Sequence, residues 1–324
     1  MRAIVRATGL CVPERVLTNH DLEKMVDTSD QWIRERTGMV ERRITDEQTA
    51  ASDLALGAAH MAMNEAGVAA DELDAILVAT ISPDYVFPAT ACLLQKRLGA
   101  RTVASFDLSA ACTGFLYGLQ IAGAFIESGR YRNILLVGVD TLSKVVDWED
   151  RNTCVLFGDG AGAVILQPGE SGGLLGCVLG ADGGAAELLY QPCGGSRIPI
   201  STEAIGEKKH NLFMNGREIF KHAVREMANS CLAVLDNASL SQDDVAALVP
   251  HQANIRIIEA VAQRLGFPME KVFLNLQKYG NTSAATIPMA LHEAREEGKI
   301  KSGDKVLMTS FGSGLTWGAG LIEL

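Results

Sequence analysis

The chain has 324 residues, 48% of them hydrophobic, which is enough to bury a large core in two domains or two fused halves. Its net charge of −10 argues against nucleic acid as the main partner. No apolar run reaches the ~18 residues that a membrane helix needs, and the N-terminus lacks the pattern of a secretory signal peptide. The seven cysteines are scattered and form no Cys-x-x-Cys pair, so the sequence predicts a reduced, cytoplasmic protein without a zinc site or disulfide framework.

The first half of the chain alternates between strand and helix patterns. Strands are predicted at 3–12, 73–81, around Val103, 133–139 and 158–166, and helices at 53–67, 90–98 and from Cys112 through an apolar run to Phe125. Because these strands are continuously apolar and separated by helices, they indicate a sheet that is covered on both faces.

A polar segment at 28–44 interrupts the early part of this pattern. It holds Trp32 within a cluster of four arginines. One interpretation is a solvated helix face with a single packed tryptophan. The other is a binding surface for an adenine nucleotide, in which the flat ring contacts the base and the guanidinium groups contact the phosphates.

The second half repeats the order of the first. Strands are predicted at 174–179, 246–249, 272–276, 305–309 and 315–324, and helices at 219–235, 254–265 and 283–297. FGDGAGAVIL from Phe157 resembles FGSGLTWGAGLIEL from Phe311, and matching elements lie roughly half a chain apart, which indicates an internal duplication. In this alignment Cys112 corresponds approximately to Asn281. The prediction is an α/β fold of two similar βαβαβ halves, 1–170 and 171–324, with helices between their sheets.

One region departs from the repeating pattern. Residues 188–211 are rich in Gly, Pro and Lys and show no clear periodicity, so they are predicted to form a long loop. Loops of this length inside compact domains tend to be functional or mobile.

Cys112 is the first candidate for chemistry. It follows a predicted buried strand and a tight turn of small residues, and it opens an apolar helix. A helix N-terminus can stabilise an anion by up to ~2 kcal/mol, which would convert a large fraction of the thiol to thiolate near neutral pH. The alternative is that Cys112 is a small buried hydrophobic residue, the commoner fate of a cytosolic cysteine.

Two further polar residues follow predicted strands of the second half. His251 stands between a strand and a helix, and Asn281 stands in a similar place after a glycine. Ligand chemistry in such sheets lies at the carboxyl ends of strands, so both could converge with Cys112 as a nucleophile with donor or acid–base partners. A lone histidine there is more often structural. The glycine turn at 311–314 supplies backbone amides for an oxyanion hole.

These residues lie in motifs that match a known family. DLSAACTGF around Cys112, PHQAN around His251, YGNTSAATIP around Asn281 and the closing FGSGLTWG resemble β-ketoacyl-[acyl-carrier-protein] synthase III of the thiolase superfamily. FPATACLLQ and FGDGAGA extend the resemblance over nearly the whole chain. The resemblance implies a thiolase-like fold with a layered α/β/α/β/α core, a homodimer, and no metal or organic cofactor. The implied reaction is condensation of an acyl-CoA with malonyl-acyl carrier protein.

The resemblance also implies roles for individual residues. Cys112 would take the acyl group, while His251 and Asn281 would hold the malonyl thioester carbonyl as CO2 leaves. The backbone amides of Cys112 and Ser313 would form the oxyanion hole. Ser313 departs from the family pattern, in which glycine is common at this position. Its backbone amide can still serve, so the departure concerns only whether the side chain fits in the turn.

The substrate contacts are implied in the same way. The positions that match CoA contacts are Thr28, Trp32, Arg36, Thr37, Arg151, Asn215 and Asn254. Phe87 matches a residue that crosses the dimer interface to shape the primer pocket. Arg256 matches the docking residue for the acidic carrier protein, and Lys221 is expected to join it in a local basic patch.

Acetyl-CoA is the expected primer, although the 188–211 region leaves branched or longer primers open. The same residues also suit a condensing enzyme or acyl transferase of secondary metabolism. A non-catalytic scaffold is a third interpretation.

Overall fold

The computed structural model describes every residue from Met1 to Leu324. The strands are β1 (Arg2–Cys11), β2 (Val16–Thr18), β3 (Glu41–Arg43), β4 (Ala75–Ala79), β5 (Ala104–Leu108), β6 (Ile134–Thr141), β7 (Asp159–Gly169), β8 (Gly173–Ala181), β9 (Leu189–Tyr190), β10 (Phe213–Met214), β11 (Ala247–Pro250), β12 (Lys305–Gly312) and β13 (Thr316–Glu323). The helices are α1 (Asn19–Leu22), α2 (Asp30–Thr37), α3 (Ala51–Ala66), α4 (Thr90–Leu98), α5 (Gly114–Glu127), α6 (Arg151–Cys154), α7 (Thr202–Gly206), α8 (Gly216–Asn237), α9 (Ile255–Leu265), α10 (Leu276–Tyr279) and α11 (Thr286–Glu296).

Two larger sheets form the centre of the molecule. The first has the order β1-β7-β6-β4-β5, in which β4 pairs in parallel with both β5 and β6. The second has the order β11-β12-β13-β8, in which only the β11–β12 pair is parallel. All strands of the first sheet lie before residue 170 and all strands of the second lie after it, an arrangement that supports a division of the chain near residue 170.

The helices form three layers around these sheets. The apolar residues of α3 and α4 cover the outer face of the first sheet, and those of α8 and α9 cover the outer face of the second. Between the sheets lie α5 and α11, whose buried side chains join both inner faces in one core. The order is therefore α/β/α/β/α, as predicted, and the strands β4 and β6 are buried along their whole length because both faces of their sheet are covered.

The two central helices begin in the same way. A short 3₁₀ turn precedes each one, Ala111–Thr113 before α5 and Ser283–Ala285 before α11. The first residue of each turn has a positive φ, 47° at Ala111 and 52° at Ser283. This correspondence pairs Cys112 with Ala284, so the sequence alignment of Cys112 with Asn281 was wrong by three residues. The glycine motifs that anchored the alignment lie one strand further along each half and do not fix the register of the turn.

Two other expectations need correction. The predicted strand at 272–276 is reduced to a single bridge between Val272 and Leu248. The Gln252 side-chain oxygen accepts hydrogen bonds from the backbone N–H groups of Asn275 and Leu276, at 3.1 and 3.3 Å. These two N–H groups are therefore not available to pair with a neighbouring strand.

The predicted loop at 188–211 is partly regular. β9 near its start pairs with β10 beyond its end, and α7 lies between them with Ser201 as its N-cap. None of the helices in the structure has the length and apolarity that crossing a membrane requires.

Candidate active site

Cys112 lies in the 3₁₀ turn that links β5 to α5. Its side chain is buried, and its carbonyl oxygen accepts a hydrogen bond of 2.8 Å from the Ser310 hydroxyl. The closing turn after β12 passes directly over it, since a Cβ atom on Gly312 would lie 2.8 Å from the Cys112 backbone nitrogen. Only glycine permits this approach. The sequence therefore brings the amide of Cys112 against the 311–314 turn.

The titration of Cys112 is opposite to the expectation from the helix N-terminus. Burial raises the pKa of the thiol to about 12, and a contact with the Ser283 side chain lowers it only in part. Relative to a free thiol, the cost to the thiolate is roughly 4 kcal/mol, about twice what a helix end supplies. In the resting protein the thiol is protonated, because loss of solvent outweighs the helix dipole.

His251 immediately follows β11 and is also buried. Its backbone N–H donates to the Thr309 carbonyl at 2.8 Å, which fixes the main chain to the neighbouring strand β12. Its Nδ1 atom lies 2.6 Å from the Thr286 hydroxyl, while Nε2 has no protein partner. Burial lowers the pKa of His251 to about 3, so the ring is neutral at physiological pH.

Asn281 is held by backbone bonds to the other half of the chain. Its N–H donates to the Leu156 carbonyl at 2.8 Å, and its carbonyl accepts the Gly158 N–H at 3.1 Å. The side-chain oxygen accepts the Ser283 N–H at 2.9 Å, which orients the amide and leaves its NH2 group without a protein partner. Asn281 therefore offers a fixed, free N–H donor.

Asp140, at the end of β6, is a supporting residue that the sequence analysis missed. One of its buried carboxylate oxygens accepts hydrogen bonds from Ser82 and from the N–H of Ile81, and the other lies 3.3 Å from the N–H of Ala284. Burial raises the pKa of this carboxyl group. Asp140 ties the turn that follows Asn281 to the first sheet. The sequence gives no signal for this, because an aspartate at a strand end is also a common turn residue.

Cys112 stands at the junction of two cavities. The larger, about 620 Å³, is bordered by Cys112, His251 and Asn281 together. The smaller, about 180 Å³, also borders Cys112 and is lined mainly by apolar side chains. It includes Leu142, Val145, Leu189, Leu212 and Ser313. A group bound to the thiol can therefore extend into the small cavity while a second reactant enters through the large one.

Basic side chains surround the outer part of the larger cavity. They are Arg36, Arg217, Lys221 and Arg256. Lys221 forms an ion pair with Glu218 at 2.7 Å, whereas the three arginines have no acidic partner within 4 Å. This local cluster of positive charge occurs on a chain with a net charge of −10. Arg217 was not predicted, because no motif singles it out from other helix-surface arginines.

The predicted CoA contacts are distributed unevenly. Arg36 and Asn254 border the large cavity, and the Asn254 amide donates to the Arg36 carbonyl at 3.0 Å. Asn215 is exposed and is the N-cap of α8, immediately before Gly216, which borders the large cavity. Thr37 does not reach the cavity. It is buried at the end of α2, and its hydroxyl donates to the Ile33 carbonyl and accepts the Met39 N–H.

The other three predicted contacts do not border the large cavity. The Arg151 guanidinium stacks on the Trp32 ring, 4.9 Å from its centroid. A base can enter between them only if this stack opens. Thr28 lies nearby in sequence, and its buried Oγ1 atom lacks a hydrogen-bond partner.

The remaining predicted residues are Phe87 and Ser313. Phe87 is 83% exposed and, with Tyr85 and Val86, forms an apolar projection that borders neither cavity of its own chain. Ser313 does border the small cavity, and its hydroxyl is hydrogen-bonded to the Leu189 carbonyl. The Ser313 side chain is thus held by β9, so the closing turn accommodates serine in place of glycine.

Comparisons with known proteins agree with this geometry. Residues 106–183 match the family model for 3-oxoacyl-[acyl-carrier-protein] synthase III, and residues 235–324 match the model for the C-terminal part of the same enzyme. The chain is 54% identical over 322 residues to beta-ketoacyl-[acyl-carrier-protein] synthase III of Roseiflexus castenholzii, which covers 99% of this chain and 98% of that protein. The chain belongs to the synthase III family.

Solved structures of synthase III proteins have the same fold. The enzyme from Aquifex aeolicus superposes with a TM-score of 0.92 at 50% identity, and the match covers 99% of this chain and 100% of that one. A priming β-ketosynthase of the R1128 polyketide pathway superposes with a TM-score of 0.91, at 32% identity over 99% of this chain and 96% of that one. The identity to the synthase III proteins of Roseiflexus castenholzii and Aquifex aeolicus, 54% and 50%, is higher than the identity to this polyketide enzyme. The predicted family, fold class and enzyme class are confirmed.

Proposed function

We propose that this chain condenses a short acyl-CoA with malonyl-acyl carrier protein through an acyl-Cys112 intermediate. Membership of the synthase III family makes it an initiating condensing enzyme of type II fatty-acid synthesis. The observation that carries the residue-level proposal is the common cavity, in which one thiol meets two side chains with free polar atoms. A non-catalytic scaffold has no need for this arrangement.

In the first stage Cys112 attacks the acyl-CoA thioester. The bond from Sγ to the acyl carbon forms, the bond from that carbon to the CoA sulfur breaks, and the thiol proton ends on CoA. The amides of Cys112 and Ser313 stabilise the oxyanion of the intermediate. Because the pKa of the thiol is raised to about 12, its proton must leave as the new bond forms.

In the second stage the malonyl thioester enters beside His251 and Asn281. Its bond to the carboxylate breaks, CO2 leaves, and the electron pair forms an enolate whose oxygen accepts N–H donors from both residues. The enolate carbon then attacks the acyl carbonyl carbon to form the new carbon–carbon bond, and the bond from that carbon to Sγ breaks. The Cys112 thiolate that leaves takes up a proton from solvent. One such donor is worth roughly 3 kcal/mol to the transition state.

The basic outer surface of the larger cavity suits anionic substrates. The phosphates of CoA and the acidic carrier protein both carry negative charge, and Arg36, Arg217 and Arg256 are free to attract them. We assign carrier-protein docking to Arg256, with Lys221 at its side. CoA contacts are assigned to Thr28, Trp32, Arg36, Arg151, Asn215 and Asn254; the adenine would separate the stacked Arg151 and Trp32.

The small cavity is assigned to the acyl group of the primer. The 83% exposure of Phe87 supports a homodimer in which each subunit inserts this ring into its partner's primer pocket. An apolar pocket of about 180 Å³ favours acetyl-CoA and excludes long chains. The seven unpaired cysteines support a cytoplasmic location. The proposed reaction is one of thioester exchange and decarboxylation, for which the chain's own donors suffice.

Acylation of a single cysteine tests the proposal. Incubation with acetyl-CoA should add one acetyl group per chain, and peptide mass spectrometry should place it on Cys112. An adduct on any of the other six cysteines would overturn the assignment. Absence of any adduct, in a protein that remains folded, would revive the scaffold interpretation.

A further inference from the structure

Leu189, like Cys112, borders both cavities. It is the first residue of β9 and is buried. A displacement of Leu189 would therefore change the space that is open to a group bound to the thiol. What holds this residue in place bears directly on which acyl groups the small cavity admits.

The backbone of β9 is paired with a neighbouring strand on one side only. β9 and β10 form a sheet of two strands, and the Leu188 carbonyl accepts the Asn215 N–H at 2.8 Å. Leu189 is extended, with φ −152° and ψ 104°. Because the carbonyls on either side of an extended residue point in opposite directions, the Leu189 carbonyl faces away from β10. A buried carbonyl in that position needs a partner from another part of the chain.

That partner is the hydroxyl of Ser313. The hydroxyl donates to the Leu189 carbonyl, and the direction of this bond is fixed because a carbonyl oxygen can only accept. Ser313 belongs to the closing turn that passes over Cys112, and it borders the small cavity. The closing turn thus holds β9 from the side that β10 leaves free. A glycine at this position would have no hydroxyl with which to do so.

We propose that Ser313 is a specificity-determining residue, whose hydroxyl holds Leu189 against the small cavity and thereby keeps long acyl primers out. The inference rests on the proposed function, in which the small cavity takes the acyl group. Without the hydroxyl, Leu189 retains the bond from its N–H to the nearby Ala186 carbonyl but has no hydrogen bond to the closing turn. The hydroxyl and the backbone amide of Ser313 then have separate roles, one in primer selection and one in the oxyanion hole.

The first test measures primer preference. Ser313→Ala removes the hydroxyl and keeps both the Cβ atom and the amide. Its hexanoyl-to-acetyl ratio of kcat/KM should rise about fivefold, the effect expected for loss of one neutral hydrogen bond. The ratio cancels any change in the oxyanion hole, because both primers use the same amides.

The matched control for this test is Thr316→Val. The Thr316 hydroxyl lies 2.9 Å from the Ser313 carbonyl, at the end of the same turn, but Thr316 borders neither cavity. Its removal disturbs the turn without touching β9, so the hexanoyl-to-acetyl ratio should not change. An equal rise in both variants would assign the effect to the turn as a whole and would overturn the proposal.

A double-mutant cycle shows whether Ser313 acts through Leu189. Leu189→Ala removes the side chain that borders the cavities and retains the carbonyl that accepts the bond. In this background, the further change Ser313→Ala should alter the hexanoyl-to-acetyl ratio by less than about twofold. An undiminished fivefold effect would mean that the hydroxyl acts without Leu189, which contradicts the proposal.

Amide hydrogen exchange reports the bond from Ser313 to Leu189 without any substrate. In Ser313→Ala the peptide that covers residues 186–191 should exchange faster than in the original chain, because local opening of β9 costs less. In Thr316→Val it should not. Unchanged exchange in Ser313→Ala would overturn the proposal, and so would an unchanged primer ratio. If Ser313→Ala does not fold, Ser313→Gly provides the same two measurements.

Failure of this inference is distinguishable from failure of the proposed function. Leu212 borders the small cavity but not the large one, so Leu212→Ala tests the primer site independently of Ser313. If Leu212→Ala raises the hexanoyl-to-acetyl ratio and Ser313→Ala does not, only the role of Ser313 is wrong. If neither variant raises it, the assignment of the small cavity to the primer fails as well, while the exchange result still reports on the bond to Leu189.

Discussion

The assignment of the small cavity to the acyl chain predicts how primer preference changes when the cavity is enlarged. Leu212 is half-buried and borders only the small cavity. Its backbone N–H donates to the Val145 carbonyl at 2.8 Å, a bond that Leu212→Ala retains. The substitution removes three carbon atoms from the wall beside Cys112 and leaves the catalytic residues in place.

The magnitude follows from the size of the cavity. At about 180 Å³ it is slightly larger than the ~150 Å³ apolar cavity that accepts a benzene ring, so short acyl groups fit and long ones do not. Removal of three carbons makes room for about two more methylene groups, each worth ~0.8 kcal/mol when buried. The expected gain of ~1.6 kcal/mol is roughly a 15-fold rise in the hexanoyl-to-acetyl ratio of kcat/KM.

The assay is a panel of acyl-CoA primers with malonyl-acyl carrier protein as the constant partner. Leu156→Ala is the matched control, because Leu156 borders the large cavity but not the small one. Its hexanoyl-to-acetyl ratio should not change. An equal rise in both variants, or none in Leu212→Ala, would place the acyl chain elsewhere. A tenfold preference of the original chain for decanoyl-CoA over acetyl-CoA would reject the short-primer proposal.

Four further outcomes follow from the site. Cys112→Ser should lose condensation, measured as β-ketoacyl product, because a hydroxyl is far harder to deprotonate than a thiol and no base is dedicated to it. His251→Ala or Asn281→Ala should slow CO2 release by ~100-fold or more while self-acylation of Cys112 survives better; an equal loss of both would contradict the division of roles. Arg256→Glu should raise the apparent KM for malonyl-acyl carrier protein but not for malonyl-CoA, with an effect that shrinks as salt is added; equal loss with both donors would place Arg256 in the shared channel. The pKa of His251 is lowered to about 3 in the folded protein and is near 6.5 in the unfolded chain, so the unfolded chain binds the proton more readily as the pH falls. The free energy of unfolding should therefore be unaffected by this group above pH 6.5 and should fall by up to roughly 5 kcal/mol towards pH 3. In urea unfolding, His251→Asn should show a weaker dependence of this free energy on pH.

The fold was largely predictable from hydrophobic patterns. Continuous apolar strands such as β4 and β6 indicate a sheet covered on both faces, and the structure has that arrangement. The pattern failed at 272–276, where the apolar residues resemble a strand but the Gln252 side chain takes the backbone amides. Competition by a distant side chain leaves no periodic signal.

The candidate site was predictable in its residue types but not in its energetics. Strand ends and motifs identified Cys112, His251 and Asn281, and these residues do border one cavity. The predicted direction of the Cys112 pKa shift was wrong. Burial raises this pKa, and the extent of burial depends on how completely the second half of the chain covers the thiol, which the sequence around Cys112 does not indicate. Thr37 was misplaced for a related reason: an exposed and a buried threonine look alike in a motif.

The bonds that join Asn281 to Leu156 and Gly158 have a consequence for how the molecule becomes active. Each half supplies part of the other's reactive geometry, so neither half holds a partly working catalyst. Activity therefore appears only when the halves have docked in register, which makes the onset of catalysis a report of completed tertiary folding. The same bonds imply that relative sliding of the halves would displace the amide donor before it disrupted either sheet.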